Sequence, residues 1–340
     1  MLVAKTQTGE LIVANQATQP ANFTCPVCAS PVRLRHGKIN LPHFAHVDLQ
    51  VCAQVSEGES VEHMQGKLQL MAYYQAKGAT VELEVYLPSI KQRADLLVTY
   101  HGRQFVVEYQ CASVAVSQVA ARTQGYLSLQ LPVLWILGKT YQDKNITAPT
   151  KAKFAQMHGQ KLCVGLWSTT TKTLTWEPWQ TVDGFQKSLL NQRRDKLMRI
   201  QVLKMQQELT RRNPHLKKLV AQLYRQNRLV VGMPWACHAL TALPGGLVGN
   251  HWEVKLALIL ALETRPQQIS ELLTLVTQAA WQSFGSVPLV EVQQLWLNQV
   301  LEEWQTKQIV RVAHERVNLR KKLKWYRDYQ DKLANLDEFS

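Results

Sequence analysis

Two groups of residues in this chain have types and spacings suited to chemistry. The first is Cys25-Pro-Val-Cys28, then fourteen residues, then His43-Phe-Ala-His46, with Cys52 close behind. Two thiolates and two imidazoles can close a tetrahedral zinc shell, and a two-residue gap within each pair lets both members reach one ion. The spacing therefore predicts a zinc site of Cys25, Cys28, His43 and His46, with Cys52 able to replace either histidine. Buried free thiols beside surface histidines are the plain alternative. A redox dithiol is disfavoured, because no thioredoxin-like unit follows the pair. Nothing suggests an open coordination position, so the zinc would be structural and would supply folding energy to a segment with little core.

The second group is Asp95 in RADLLV and, twelve residues on, Glu108-Tyr109-Gln110 in VVEYQ. If the two runs pair as an antiparallel hairpin, both carboxylates come to one end of a sheet. Paired carboxylates suit Mg²⁺ or Mn²⁺, which takes one or two of them together with phosphate oxygens and water. Strand periodicity turns Gln110 to the same face as Glu108, and an unpaired carboxylate on an interior strand is costly unless it serves a metal. A solvated hairpin with incidental acids is the competing reading. Glu59 and Glu62 open a helix at ESVEHMQGK; Glu62 is the preferred third carboxylate, against the ordinary role of such acids in opposing the helix dipole. His63 could touch phosphate or water, although a lone histidine is commonly structural. Arg122 and Tyr126, four apart on a later helix, share a face that suits either phosphate contact or packing.

The elements that must position these residues follow from periodicity. Residues 1–57 contain β-prone pieces near Leu2 and Leu11 but otherwise read as irregular. Ser60 caps a helix to about residue 76, and Gly78 ends it. Three β-like runs (80–87, 93–100 and 104–112) form a meander with His101-Gly102 as a tight turn. A helix over 113–129 precedes VLWILG, an apolar run that fits a strand buried on both faces. The order is α-β-β-β-α-β. Residues 139–160 read as linker, with short β-like runs at 161–167 and 173–176 beyond. Helices are expected over 186–212 and to about 228, then near 251–263, 267–279, 289–306 and 315–334, giving an all-helical C-terminal domain. The division is 1–57, 58–180 and 181–340.

Composition narrows the function. The 340 residues are 46% apolar and 19% charged, enough apolar surface to offset chain entropy, so global disorder is excluded. The longest apolar stretch, 256–262, is too short for a membrane span. The opening MLVAKTQTGELIVA has neither a basic leader with an apolar core nor a small-residue cleavage site, so a cytoplasmic location is expected. Net charge is +14, which points to a polyanionic partner, with nucleic acid first. Residues 187–228 alone carry +10. Arg193, Arg194, Lys196, Arg199, Arg211, Arg212, Lys217 and Lys218 are the expected phosphate-binding set. A solvated helical face, or a basic segment for protein partners, is the blander account of that run.

Taken together, these residues resemble the CoiA competence protein family. The resemblance rests on FTCPVCASPVRLRHGKINLPHFAH (23–46), ESVEHMQGK (59–67), RADLLV (93–98), VVEYQCASV (106–114), RTQGY (122–126) and VLWILG (133–138), in order over about the first 140 residues. It implies an α/β restriction-endonuclease-like core of the PD-(D/E)XK type, with Asp95 as the metal-binding aspartate, Glu108 as the second carboxylate and Gln110 where lysine usually stands. Neutral Gln110 can only hydrogen-bond, so the metal carries more of the work or the activity is weak. The resemblance further implies handling of incoming DNA, single-stranded or branched, beside recombination proteins during natural transformation. A DNA-binding accessory protein that no longer cuts is the rival reading.

Overall fold

The structure, a computed structural model, describes residues 1–18, 22–36, 41–48, 52, 59–142, 146–183, 194–211, 213–238 and 241–336. Two units emerge: Met1–Gly159 with Cys163–Pro178 and Ser283–Val287, and Gln160–Leu162 with Trp179–Gln282 and Pro288–Ser340.

The first unit opens with more order than its sequence suggests. Strands β1 (Val3–Lys5), β2 (Leu11–Val13), β3 (Phe23–Thr24), β4 (Pro31–Arg35) and β5 (His43–His46) form an antiparallel sheet in the order β2-β1-β3-β4-β5. Alternation in β4 buries Val32 and Leu34 beside Ala4, Phe23, Cys25 and Phe44, a core too small to stand without further help.

Helix α1 (Val61–Gln75) starts where Ser60 accepts a hydrogen bond from the His63 N–H. The meander β6 (Thr80–Leu87), β7 (Gln92–Tyr100) and β8 (Arg103–Gln110) follows. Its second turn has φ of 47° at His101 and 72° at Gly102, both positive as a type I′ hairpin requires. Helix α2 (Val116–Ser128) then leads to β9 (Val133–Leu137), parallel to β8. α1 lays Met64, Leu70 and Tyr74 on one face of the sheet. Tyr126 of α2 packs with Ala94, Leu97 and Val106, on the other face, since successive strand residues such as Val106 and Val107 point opposite ways. α1 approaches β8 closely at Gly66, where a Cβ would lie 2.0 Å from the Tyr109 ring.

Residues 139–160, expected as linker, instead contain α3 (Lys139–Gln142), α4 (Ala148–Phe154) and β10 (Gln156–His158). α4 buries only Ala152 and Phe154, which leaves too sparse an apolar period to stand out in sequence. β11 (Lys161–Ser168), buried at six successive positions, lies parallel to β9 inside the main sheet, and β12 (Thr173–Pro178) pairs with it. The sheet order is β10-β11-β9-β8-β7-β6.

In the second unit, β13 (Gln180–Thr181) pairs with β14 (Leu243–Pro244), and α5 (Arg194–Thr210), α6 (Lys217–Tyr224), α7 (His251–Thr264), α8 (Ile269–Thr277) and α9 (Leu289–Thr306) supply most of the core around Trp252, Trp296 and Trp304. The all-helical expectation fails here. β15 (Gln267–Gln268), β16 (Val310–Ala313) and β17 (Arg316–Leu319) form a three-stranded sheet, and the helix expected over 315–334 is reduced to α10 (Tyr329–Ala334). The cause is local: VRVA and RVNL flank His314 and Glu315, whose φ values of 48° and 60° make a two-residue hairpin turn. Among the described residues no helix is long and apolar enough to cross a membrane.

Candidate functional site

The centre of the first unit lies where the β6–β7 ladder breaks. Leu83 pairs with Leu96 and Val85 with Ala94; between them Glu84 takes a φ of 53°, a left-handed conformation that a non-glycine residue holds only when its surroundings enforce it. Those surroundings are explicit. The Glu84 carboxylate accepts from Lys67 Nζ at 2.6 Å and from the backbone N–H groups of Leu2 at 2.8 Å and Val3 at 3.3 Å. The same buried Lys67 reaches Glu59 at 2.7 Å and lies 3.9 Å from Asp95. Arg93 answers the other oxygen of Glu59 at 2.8 Å, and His63 Nε2 lies 3.2 Å from Asp95 Oδ2.

Asp95 and Glu108 sit on neighbouring strands. The ladder that pairs Leu96 with Val107 sets Asp95 across from Glu108 one residue further on, and the Tyr109 N–H donates to Asp95 at 3.0 Å. Their side chains are answered from different helices. Asp95 meets His63 and Lys67 of α1, whereas Glu108 accepts from Arg122 and from the Tyr126 hydroxyl of α2.

Their ionisation differs accordingly. Burial opposes charge on Asp95, but His63, Lys67 and the Tyr109 N–H outweigh it and hold the carboxyl well below the usual range. Burial raises Glu108 to about 7, against the pull of Arg122 and with the help of the Asp95 charge. His63 is raised by Asp95 despite its own burial. The result is one firmly ionised carboxylate beside one that shares its proton near neutrality.

Several expected participants are placed elsewhere. Glu62 accepts from the Lys139 backbone N–H at 2.6 Å, and the Gln110 amide donates to the Ala112 carbonyl. Tyr126 is fully buried and bound with Arg122 to Glu108, which removes its ring from any phosphate and corrects that expectation. Among the described residues, no three carboxylates converge within reach of one ion. Sequence reading missed the network of Lys67, Glu84 and Arg93. Its signal was present: His63 and Lys67 lie four apart on one face of α1, and Glu59 stands four residues before His63, just ahead of the Ser60 cap.

The cysteine cluster assembles from a turn. Between β3 and β4 the Cys25 N–H donates to the Ser30 carbonyl and the Ala29 N–H to Cys25, with Ala29 at a φ of 58°. The Val27 N–H points at Cys25 Sγ, 3.4 Å away. Donor atoms of Cys25, Cys28, His46 and Cys52 all lie within 4.8 Å of one another. His43 stands outside, its Nδ1 at 2.9 Å from the Leu41 carbonyl. The correction has a simple geometry: in β5 residues three apart face opposite ways, so His43 and His46 cannot both turn to one ion, and Cys52 completes the set. Burial pushes the Cys25 thiol up to about 11. At Cys28 burial is outweighed by hydrogen bonds from Ser30 and His46, and the thiol falls to about 6.

Of the basic set on α5 and α6, Lys196, Arg199, Arg211, Lys217 and Lys218 are exposed. Arg194 opens α5, and Arg193 and Arg212 lie outside the described residues.

Residues 59–207 match the family model of the competence protein CoiA nuclease-like domain, and residues 7–54 that of the CoiA N-terminal domain. Competence protein CoiA of Bacillus subtilis (strain 168) is 34% identical over 146 residues, 43% of this chain and 39% of that protein. Druantia protein DruB of Escherichia coli (strain UMEA 4076-1) is 52% identical over 40 residues, 12% of this chain and 7% of that protein. The chain thus aligns with well under half the length of either relative. No solved structure matches. Two successive models of one family, matched in order across the cysteine cluster and the sheet that carries Asp95 and Glu108, establish that the chain belongs to the CoiA competence protein family.

Proposed function

We propose that this chain is a metal-dependent deoxyribonuclease with a restriction-endonuclease-like core, acting on DNA during natural transformation and recombination. The observation that carries the reading is the pair Asp95 and Glu108, buried at one rung of adjacent strands beneath two helices that each bring a cation to it. The donor chemistry fits a hard divalent ion: two carboxylate oxygens, with Glu108 ready to shed its proton near neutral pH. Asp95 and Glu108 would hold Mg²⁺ or Mn²⁺, which when bound polarises a phosphoryl oxygen and acidifies water. The chain's own groups do the rest. Lys67 keeps a fixed positive charge behind Asp95, supplying part of what Gln110 cannot, and His63 orients the Asp95 carboxylate. Arg122 and Tyr126 hold Glu108 in place through their hydrogen bonds to its carboxylate. The rival reading, a DNA-binding accessory protein that does not cut, draws on Gln110 and on the engagement of Glu108 with α2.

Zn²⁺ is assigned to Cys25, Cys28, His46 and Cys52, a three-sulfur, one-nitrogen set of the type that closes structural sites. About one zinc per chain is expected by elemental analysis. Cys28→Ser should lose it and loosen β3–β5, while His43→Ala should keep it. Zinc retained by Cys28→Ser, or lost on His43→Ala, would contradict the assignment.

DNA strands are expected to run along α5 and α6. Replacing Lys196, Arg199, Lys217 and Lys218 by Gln should flatten the slope of log affinity against log salt by about 0.7 per lost contact on single-stranded DNA. An unchanged slope would mean that these helices are merely solvated.

A further inference from the structure

Within the second unit, residues 251–319 follow the order helix, strand, helix, helix, hairpin: α7, β15, α8, α9, then β16 and β17. The three strands lie in the order β15-β17-β16, all antiparallel, with β15 against the second strand of the hairpin. That connectivity and strand order are those of a winged helix-turn-helix, in which α9 holds the position of the recognition helix and the β16–β17 hairpin is the wing. Topology alone does not give function, so the charge distribution must decide.

It is sharply uneven. α9 contains no lysine or arginine; its Glu303 is buried against Lys255 at 3.1 Å, and its exposed charges are Glu291 and Glu302. From the wing onward the sign reverses. Arg311, Arg316, Arg320, Lys321, Lys322, Lys324 and Arg327 are opposed within residues 311–327 by Glu315 alone, and all seven cations are exposed. A net +6 over seventeen residues stands on a chain whose residues 229–340 sum to zero, so the concentration belongs to this hairpin and not to the composition of the unit. Neighbouring acids are engaged elsewhere or at the margin: Glu271 pairs with Arg265 at 2.8 Å, and Asp328 caps α10 while meeting Arg327 at 3.2 Å.

We propose that this wing and the segment after it form a second nucleic-acid surface, one that grips the phosphate backbone of duplex DNA without reading its sequence. An acidic α9 is repelled by a groove walled with phosphates, which excludes the base-edge contacts that a basic recognition helix would make. Arg311 and Arg316 on the hairpin and Arg320, Lys321 and Lys322 directly after it offer a series of phosphate contacts. Duplex is favoured over single strand because base stacking is what single-strand grooves supply, and the aromatic rings of this segment face inward: Tyr326 is buried in the core, and Trp325 donates to Glu263 at 3.0 Å beneath Arg228. The surface does not depend on whether Asp95 and Glu108 cut.

The test is equilibrium binding of the full chain to a blunt duplex and to a single strand of equal length, from low to moderate salt. The probes are wild type and the triple variant Arg320→Gln, Lys321→Gln, Lys322→Gln. Loss of three contacts should flatten the duplex salt slope by about 0.9 per contact, roughly 2.7 in all. The charge-keeping variant Arg320→Lys, Lys321→Arg, Lys322→Arg should restore the slope, which separates lost charge from lost fold. Gln substitution at Lys196, Arg199, Lys217 and Lys218 should move the single-strand slope more than the duplex slope. Duplex binding with an unchanged slope in the triple variant overturns the proposal. So does the absence of duplex binding by wild type, or a triple-variant effect confined to single strands.

Discussion

Replacing Lys67 by Met is expected to cost the first unit about 3–5 kcal/mol, the penalty for removing one partner of a buried ion pair. Lys67 is fully buried and is the shared cation of Glu84, at 2.6 Å, and Glu59, at 2.7 Å. Methionine keeps the volume but leaves Glu84 without its side-chain cation and Glu59 with Arg93 as its hydrogen-bonded cation, and Glu84 also fastens the first strand through the N–H groups of Leu2 and Val3. Hydrogen exchange of the β6–β9 amides in the full chain reads the loss in this unit separately from the other. The pH dependence should flatten as well. In the wild type Glu84 is held at about 2 by Lys67 against its burial, below its ordinary 4.5. Its stabilisation is therefore complete above about pH 4.5 and is lost as pH falls toward 2. Without Lys67, burial is opposed only by Arg93, the amino terminus and the N–H groups of Leu2 and Val3, so Glu84 titrates higher and the variant should lose less stability than wild type as the medium is acidified from pH 7. Adding Glu84→Gln should recover part of the loss. A cost below about 1 kcal/mol, typical of a surface pair, would mean that this network does not hold the core together.

How much of this was legible in the sequence depended on the length and regularity of each element. α1 and β6 to β9 were readable because α1 carries an N-cap and three- and four-residue apolar spacings, while the strands are long runs separated by Gly or Pro. Residues 139–160 were not, since α4 and β10 are short and take their burial from tertiary contacts. The wing was missed for a different reason. A helix-like apolar spacing over 315–334 competed with the alternation in VRVA and RVNL, and the deciding feature was a pair of positive φ values at His314 and Glu315, residue types that do not announce a turn as Asn-Gly does. At the cysteine cluster the residue types pointed to a metal, but the choice between His43 and Cys52 needed the knowledge that HFAH is a strand. On a helix the same two histidines would share a face. The placement of Asp95 and Glu108 on neighbouring strands was legible from their spacing. Lys67 was overlooked because a lysine in an amphipathic helix ordinarily faces water, and the break at Glu84 gives it its shortest buried contact.

Cleavage by purified full-length protein tests the central claim most directly. Wild type should cut DNA in the presence of Mg²⁺ or Mn²⁺ and cease in chelator, with single-stranded, duplex, flap and junction substrates compared side by side. Asp95→Ala and Glu108→Ala should each lower the rate by roughly a hundredfold or more, and so should the isosteric Asp95→Asn and Glu108→Gln, which keep the hydrogen-bonding shape of the site, while DNA affinity changes little. Metal-dependent cutting that survives both alanine substitutions would contradict the site, and wild type that binds DNA yet cuts none of the four substrates with either ion would contradict the nuclease reading.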